Sequence, residues 1–229
     1  MEYVPPLAPL VVLAFLGTAF LLAVLGAAFL AAALAKKRRI MFSILVGGAC
    51  VLLIYGSILL AFSTFSKERT LQLGEKKYFC EIDCHLAYSV TSVEVARVLG
   101  SPPREARATG TYRVVTLRTW FDESTISPRR GREYPLSPNP RAIYVEDAAG
   151  RRYERSQAAE DALTAMGRTS TPVTRSLRPG EAYDTILVFD IPDDARGPRL
   201  FVGCPPGVEF ALIGHEMSPL HKKIWFSVN

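Results

Sequence analysis

The feature that most constrains this chain is a pair of long uncharged apolar runs, residues 7–35 and 40–65, separated only by Lys36, Lys37, Arg38 and Arg39. Neither run contains Asp, Glu, Lys or Arg, and each exceeds the roughly 20 residues that carry an α-helix across a bilayer core. A connection this short predicts a tight antiparallel hairpin. Basic connections stay cytoplasmic. Residues 36–39 therefore read as a cytoplasmic turn, residues 1–6 as a short tail on the far side, 66–75 as a linker, and 76–229 as a domain on that same far side. The expected location is a cell membrane crossed twice, with both termini periplasmic or extracellular. Lys67, Arg69, Lys76 and Lys77 soften the charge asymmetry but are less dense than the turn. Two processing alternatives compete with the hairpin. Cleavage at Ala33-Leu34-Ala35 would follow an overlong apolar run and a start, Met1 to Pro6, that lacks positive charge. A lipobox at Val46-Gly47-Gly48-Ala49-Cys50 is followed by apolar sequence well beyond Cys50.

The net charge of +5 would suggest nucleic-acid binding if it were spread over one face. It is not: the turn carries most of it, and acids and bases nearly balance over residues 66–229. No nucleic-acid partner is expected. Within the first run Ala19, Ala23, Ala27, Ala31 and Ala35 recur every fourth residue, with Gly47, Gly48 and Gly56 offering small positions in the second. Small residues let helix backbones approach closely in lipid, so the stripe predicts either hairpin packing or docking on another membrane subunit. Neither run carries an ionisable group of the kind that marks an ion pathway.

From residue 76 onward the pattern becomes short β-type runs between turn residues: Lys77 to Ile82, Leu86 to Arg97, Thr111 to Phe121, Ala142 to Glu146, Tyr183 to Asp190, Leu200 to Cys204, Val208 to Ile213 and Lys223 to Val228. Tyr183, Leu187 and Phe189 lie at one parity and Asp184 and Asp190 at the other, and Ile224, Phe226 and Val228 repeat that alternation, as in strands with one buried face. Gln157 to Met166 reads as a helix stopped by Gly167. Residues 123–140, rich in Arg, Pro and Ser, read as a long loop. Many strands and little helix predict an antiparallel immunoglobulin-like β-sandwich, so the expected fold class is a two-helix transmembrane hairpin plus an all-β domain.

In Leu177-Arg178-Pro179-Gly180-Glu181, Pro fixes φ at the second turn position and Gly accepts positive φ at the third. Together with Leu187-Val188-Phe189-Asp190-Ile191-Pro192, this turn resembles a family of bacterial exported immunoglobulin-like domains of largely unknown function, typified by a secreted mycobacterial antigen. The resemblance implies a strand whose Phe packs between two sheets. Two helices in place of one anchor, and the cysteines near residue 80, depart from the family's usual pattern.

Cys80, Glu81, Asp83, Cys84 and His85 form one dense group of ligand-type side chains, and His215, Glu216, Met217 and His221 form another. Thiolate, thioether and imidazole suit copper, so Cys80, Cys84, His85, Met217 and His221 are candidate metal ligands if the two groups meet. The Cys spacing is similar to that of the copper domains of oxidase subunit two and of their copper chaperones, but Tyr88 and Thr91 stand where the oxidase pattern wants His and Met. The competing reading is a disulfide among Cys80, Cys84 and Cys204, as expected in an oxidising compartment. In an extended strand Cys80 and Cys84 would lie about 13 Å apart, too far to bond, so their pairing requires a turn between them. A thiol-redox pair is a third option. No Gly-x-Ser-x-Gly elbow or phosphate-cradling glycine loop is present. Asp122 and Glu123 are adjacent, which points them to opposite faces of a strand. The expectation is a non-enzymatic, membrane-anchored interaction or accessory-subunit module with no cofactor. Its partners would be the lipid bilayer and a protein at the membrane, and a copper-binding or thiol-redox domain is the alternative.

Overall fold

A computed structural model describes residues 8–81 and 85–229. They form two compact units: a β unit of Arg69–Pro205 with Ile224–Asn229, and a helical unit of residues 8–68 with Pro206–Lys223.

In the helical unit, α1 (Ala8–Leu34) and α2 (Arg38–Thr64) are each 27 residues long. Both are long and apolar enough to cross a membrane, at about 40 Å each against a hydrocarbon core of about 30 Å. Lys36 takes a positive φ of 55° and Lys37 N donates to Ala32 O at 2.9 Å, which closes the turn within the three residues between the helices. The covered positions of α1 include Val11, Phe15, Thr18, Leu22, Leu25, Phe29 and the buried Ala32, and those of α2 include Met41, Ile44, Gly48, Val51 and Tyr55. Steps alternating between four and three residues keep a seam facing its partner. Gly48 belongs to this seam, because a Cβ there would stand 4.0 Å from Leu25 Cδ1. Ala19, Ala23, Ala27, Ala31 and Ala35 all lie exposed, outside the seam. A strict four-residue repeat overshoots the 3.6-residue turn and drifts around the helix, whereas the alternating repeat does not.

Residues 206–223 complete this unit. Tyr55 Oη donates to Ala211 O at 2.7 Å, and Lys222 N donates to Ser66 Oγ at 2.8 Å. The strand expected over Val208 to Ile213 is instead a 3-10 turn at Val208–Ala211. The apolar–polar alternation of Val208-Glu209-Phe210 stops at the apolar run from Ala211 to Ile213, and no neighbouring strand pairs with the segment among the described residues.

The β unit runs β1 (Arg69–Leu71), β2 (Lys77–Cys80), β3 (His85–Leu99), β4 (Ala106–Asp122), β5 (Ala142–Glu146), β6 (Arg152–Tyr153), α3 (Gln157–Ala165), β7 (Ala182–Ile191), β8 (Arg199–Gly203) and β9 (Ile224–Ser227). One sheet has the order β1-β9-β8-β5-β6 and the other β2-β3-β4-β7. β1 pairs in parallel with β9, so part of the expected linker is sheet. β6, too short to show a periodicity, was also not foreseen.

The main core draws on both sheets: Phe79, Leu86, Tyr88, Leu117, Phe121, Leu187 and Phe189 from one, and Val145, Leu200, Val202, Ile224 and Phe226 from the other. Phe189, the aromatic marked by the family resemblance, is fully buried there. On the opposite face of the four-stranded sheet, Ala159, Ala162 and Leu163 of α3, one helical stripe, pack with Leu99, Tyr112, Val114 and Val188. Gly180 takes φ +82°, and Gly180 N and Glu181 O bond Phe121 at 3.0 Å each, which pins the turn to β4. Gly110 is required for a different reason: a Cβ there would sit 2.3 Å from Ile191 O.

Candidate functional site

The chemically richest place in the β unit is a buried polar cluster built from β2, β3 and the segments flanking β5 and β8. Along β2 the inward positions are Lys77 and Phe79, and Glu81 continues the same parity, while Cys80 faces outward and is exposed. Lys77 is 1% exposed and opposite Tyr88 in the β2–β3 ladder. Its Nζ donates to Val202 O at 2.6 Å and lies 3.3 Å from Ile224 O. The β8–β9 ladder pairs only Arg199 with Ser227 and Leu200 with Phe226, so the ammonium binds both carbonyls just where the strands stop pairing. The rings of Phe201 and Phe79 lie 4.9 Å and 5.2 Å from it, a placement that favours a desolvated cation.

Beside it Arg141 and Glu81 form an ion pair, with side chains 3% and 2% exposed. Asn139 donates to the second Glu81 oxygen. The Arg141 guanidinium lies 4.2 Å from the Phe79 ring centroid, its Nε 3.4 Å from Tyr88 Oη and its Nη1 3.9 Å from Cys204 Sγ. Burial raises the pKa of the Glu81 carboxyl, and Arg141 and Asn139 pull against it. Burial likewise raises the Tyr88 hydroxyl. The Arg141 guanidinium is disfavoured by burial, but Tyr88 and Glu81 together hold it more firmly protonated. Neutralising either partner alone would leave a charge in low dielectric, so the pair acts as a clamp joining the β2–β3 turn to the starts and ends of the facing sheet.

A second polar cluster closes the β5–β6 hairpin. Asp147 Oδ1 accepts from the amides of Ala149 and Arg151 at 2.9 and 3.0 Å, and Oδ2 accepts from Arg151 Nε and Tyr153 Oη at 2.7 and 2.9 Å. Burial opposes its ionisation, yet these bonds, led by the Arg151 side chain, hold the carboxyl at about 2.

The residues singled out from sequence fall in both units. Cys80 ends β2 opposite His85 in the β2–β3 ladder. Cys84 lies outside the described residues. Strand alternation turns Cys80 outward while Cys204 sits beside Arg141, and among the described residues no two cysteines are joined to each other, so of the pairings expected among Cys80, Cys84 and Cys204 the Cys80–Cys204 bond is not formed. His85 N donates to Thr125 Oγ1 at 2.9 Å. In the helical unit His215 Nδ1 accepts from Met217 N at 3.1 Å, and His221 Nδ1 contacts Lys222 O at 2.8 Å. Among the described residues no three His, Cys, Asp or Glu side chains gather as a metal-binding group. Trp225 packs with Phe201 and Tyr144, and Lys76 Nζ lies 3.6 Å over the Trp120 ring. The buried cluster itself was missed. Its sequence signal was the parity of Lys77 and Glu81 with Phe79 in a strand.

The β unit also presents a long uncovered stretch of sheet edge on β3. β2 pairs with β3 only from His85 to Tyr88, and Gly74 N reaches Val90 O at 2.8 Å. Beyond that, among the described residues, no backbone group bonds the outer edge of β3 from Thr91 to Leu99. Val95 and Val98 on this stretch are 59% and 40% exposed. The β7 edge, by contrast, is covered: Ser156 N bonds Val188 O at 2.7 Å and Thr171 N bonds Asp184 O at 3.1 Å.

No family model matches the chain, and no curated protein does. Two solved structures are similar to it. A conserved hypothetical protein from Bacillus anthracis aligns at 17% identity and TM-score 0.40, covering 57% of this chain and 87% of its own. The secreted protein MPT63 from Mycobacterium tuberculosis aligns at 14% identity and TM-score 0.40, covering 72% of this chain and 99% of its own.

Proposed function

We propose that the chain is a non-enzymatic, membrane-anchored binding module whose β unit receives an extended segment of a protein partner along the free edge of β3. The carrying observation is that edge: a nine-residue stretch of strand, Thr91 to Leu99, open while the β7 edge is covered. An edge with unused amides and carbonyls adds a strand through main-chain bonds, and exposed side chains of alternate residues supply selectivity. Bulges at Val90/Ser92 and Ala96/Val98, with Glu94 and Arg97 between and beside them, restrict indiscriminate pairing.

The hairpin of α1 and α2 is the anchor in this reading, crossing the membrane twice with the Lys36–Arg39 turn cytoplasmic. The β unit then stands outside the cytoplasm. An immunoglobulin-like assignment is supported by the adjacency of β5, β8 and β9, which matches strands C, F and G, and of β3, β4 and β7, which matches A, B and E. Residues 154–181, with α3, occupy the place of strand D in that scheme.

The test is site-specific photo-crosslinking of the full chain in its native membrane from positions 95 and 98, with position 133 in the 123–140 loop as control. Adducts from 95 and 98 that disappear in a Val95→Lys, Val98→Lys variant are the expected result. Adducts only from 133, or none, refute the edge as the binding surface. A membrane-impermeant thiol reagent that labels exposed Cys80 only after the cell is opened would refute the orientation.

A further inference from the structure

We infer that the segment from Pro206 to His221 is a lipid-inserted loop, embedded in the membrane leaflet at the C-terminal end of α2. This rests on the reading that α2 spans the bilayer. The first argument is depth. Tyr55, which holds Ala211 O, lies nine residues before the helix end at Thr64, or about 14 Å along the axis. A helix of about 40 Å in a core of about 30 Å projects about 5 Å at each side. The Tyr55 backbone therefore lies about 9 Å below the hydrocarbon surface, and because helical side chains tilt toward the helix N-terminus, away from that surface, its hydroxyl holds Ala211 O at the depth of interfacial segments.

The second argument is an inverted exposure pattern. Val208, Phe210 and Leu220 are 64%, 60% and 68% exposed, while Glu216 is 6% exposed and Glu209 is half-buried. A loop in water turns its carboxylates out and its large apolar side chains in. Here the acids are tucked in and the apolar groups project, as a lipid solvent demands.

The third argument is how the backbone is satisfied. Hydrocarbon offers no partner for an amide or carbonyl, so non-helical backbone at depth must bond internally. Part of the loop backbone is satisfied in this way, in a regular series: Leu212 N to Glu209 O, His215 N to Leu212 O, Ser218 N to His215 O and His221 N to Ser218 O, at 2.9–3.2 Å. Ser218 Oγ adds a bond to Leu212 O at 2.5 Å, and Tyr55 supplies the donor for Ala211 O. The segment ends at Lys222 and Lys223, which suit the headgroup layer, and Lys222 N is tied to Ser66 Oγ just past the helix end. Each of the three arguments points to lipid as the occupant of the exposed face.

The experiment is bromolipid quenching of tryptophan in the full chain, reconstituted in phosphatidylcholine bilayers brominated near the top or near the middle of the acyl chain. The wild-type signal of Trp120 and Trp225 is subtracted. Leu53→Trp, on the exposed face of α2, reports whether the helix spans. Phe210→Trp reports the loop, and Leu220→Trp repeats the measurement where Phe210→Trp does not fold. Quenching of the loop tryptophan, strongest with bromine near the top of the chain, is the expected result, with Leu53→Trp quenched most by the deeper bromine. A quenched Leu53→Trp beside loop tryptophans whose emission is the same in plain and brominated lipid overturns the inference and leaves the anchor standing. An unquenched Leu53→Trp overturns the spanning reading and the inference with it.

Discussion

Replacing Arg141 by Met removes the counter-charge of a carboxylate that is 2% exposed, while leaving Asn139 in place. Breaking a buried pair from one side costs about 3–5 kcal/mol, whereas exchanging both charges for apolar groups of similar volume is close to neutral. Arg141→Met should therefore lower the midpoint of thermal unfolding of the β unit by about 10 °C, at the few degrees per kcal/mol expected for a domain of this size. Glu81→Met with Arg141→Met should recover most of that loss, less about 1 kcal/mol for the contacts of Arg141 with Tyr88 and Cys204. Fluorescence of Trp120 and Trp225, both in the β unit, reads the transition in the full detergent-solubilised chain. The deficit must also depend on pH. Burial already holds the Glu81 carboxyl above its ordinary 4.5, so between that value and its folded pKa the folded state binds more protons and stability falls as pH rises. Without Arg141 the carboxyl moves higher still, so the variant should regain stability on mild acidification more than wild type does. A double variant as unstable as the single one, or a single variant with wild-type stability, would refute the clamp.

Three further outcomes follow from the same geometry. Asp147, held at about 2, stabilises the β5–β6 hairpin above its ordinary 3.8 and loses that effect as pH falls toward 2; Asp147→Asn should abolish this acid dependence and speed proteolytic cutting between residues 147 and 151. Gly110→Ala, whose Cβ would meet Ile191 O at 2.3 Å, should cost about 1–3 kcal/mol in urea unfolding. Gly48→Leu should loosen the helix hairpin, seen as faster detergent-induced aggregation, while Ala27→Leu, outside the seam, should not.

Periodicity alone determined much of this molecule. Two uncharged runs became α1 and α2, the alternation around Phe189 became β7, and Pro179-Gly180 became a turn, because each depends only on neighbours within a few residues. The tertiary structure decided what such patterns do not carry. β1 exists because β9, more than 150 residues away, offers it a partner. The alanine stripe lost the seam because facing side chains, and not small size, select the covered positions. Val208 to Ile213 had strand-like composition but found α2 beside it in place of a strand. Lys77, Glu81 and Arg141 read individually as surface charges; they are tolerable in the interior only because the fold gathers them, with two carbonyls and Asn139, at one place. Local pattern reports a segment's periodicity, and burial of a charge is settled by partners that are distant in sequence.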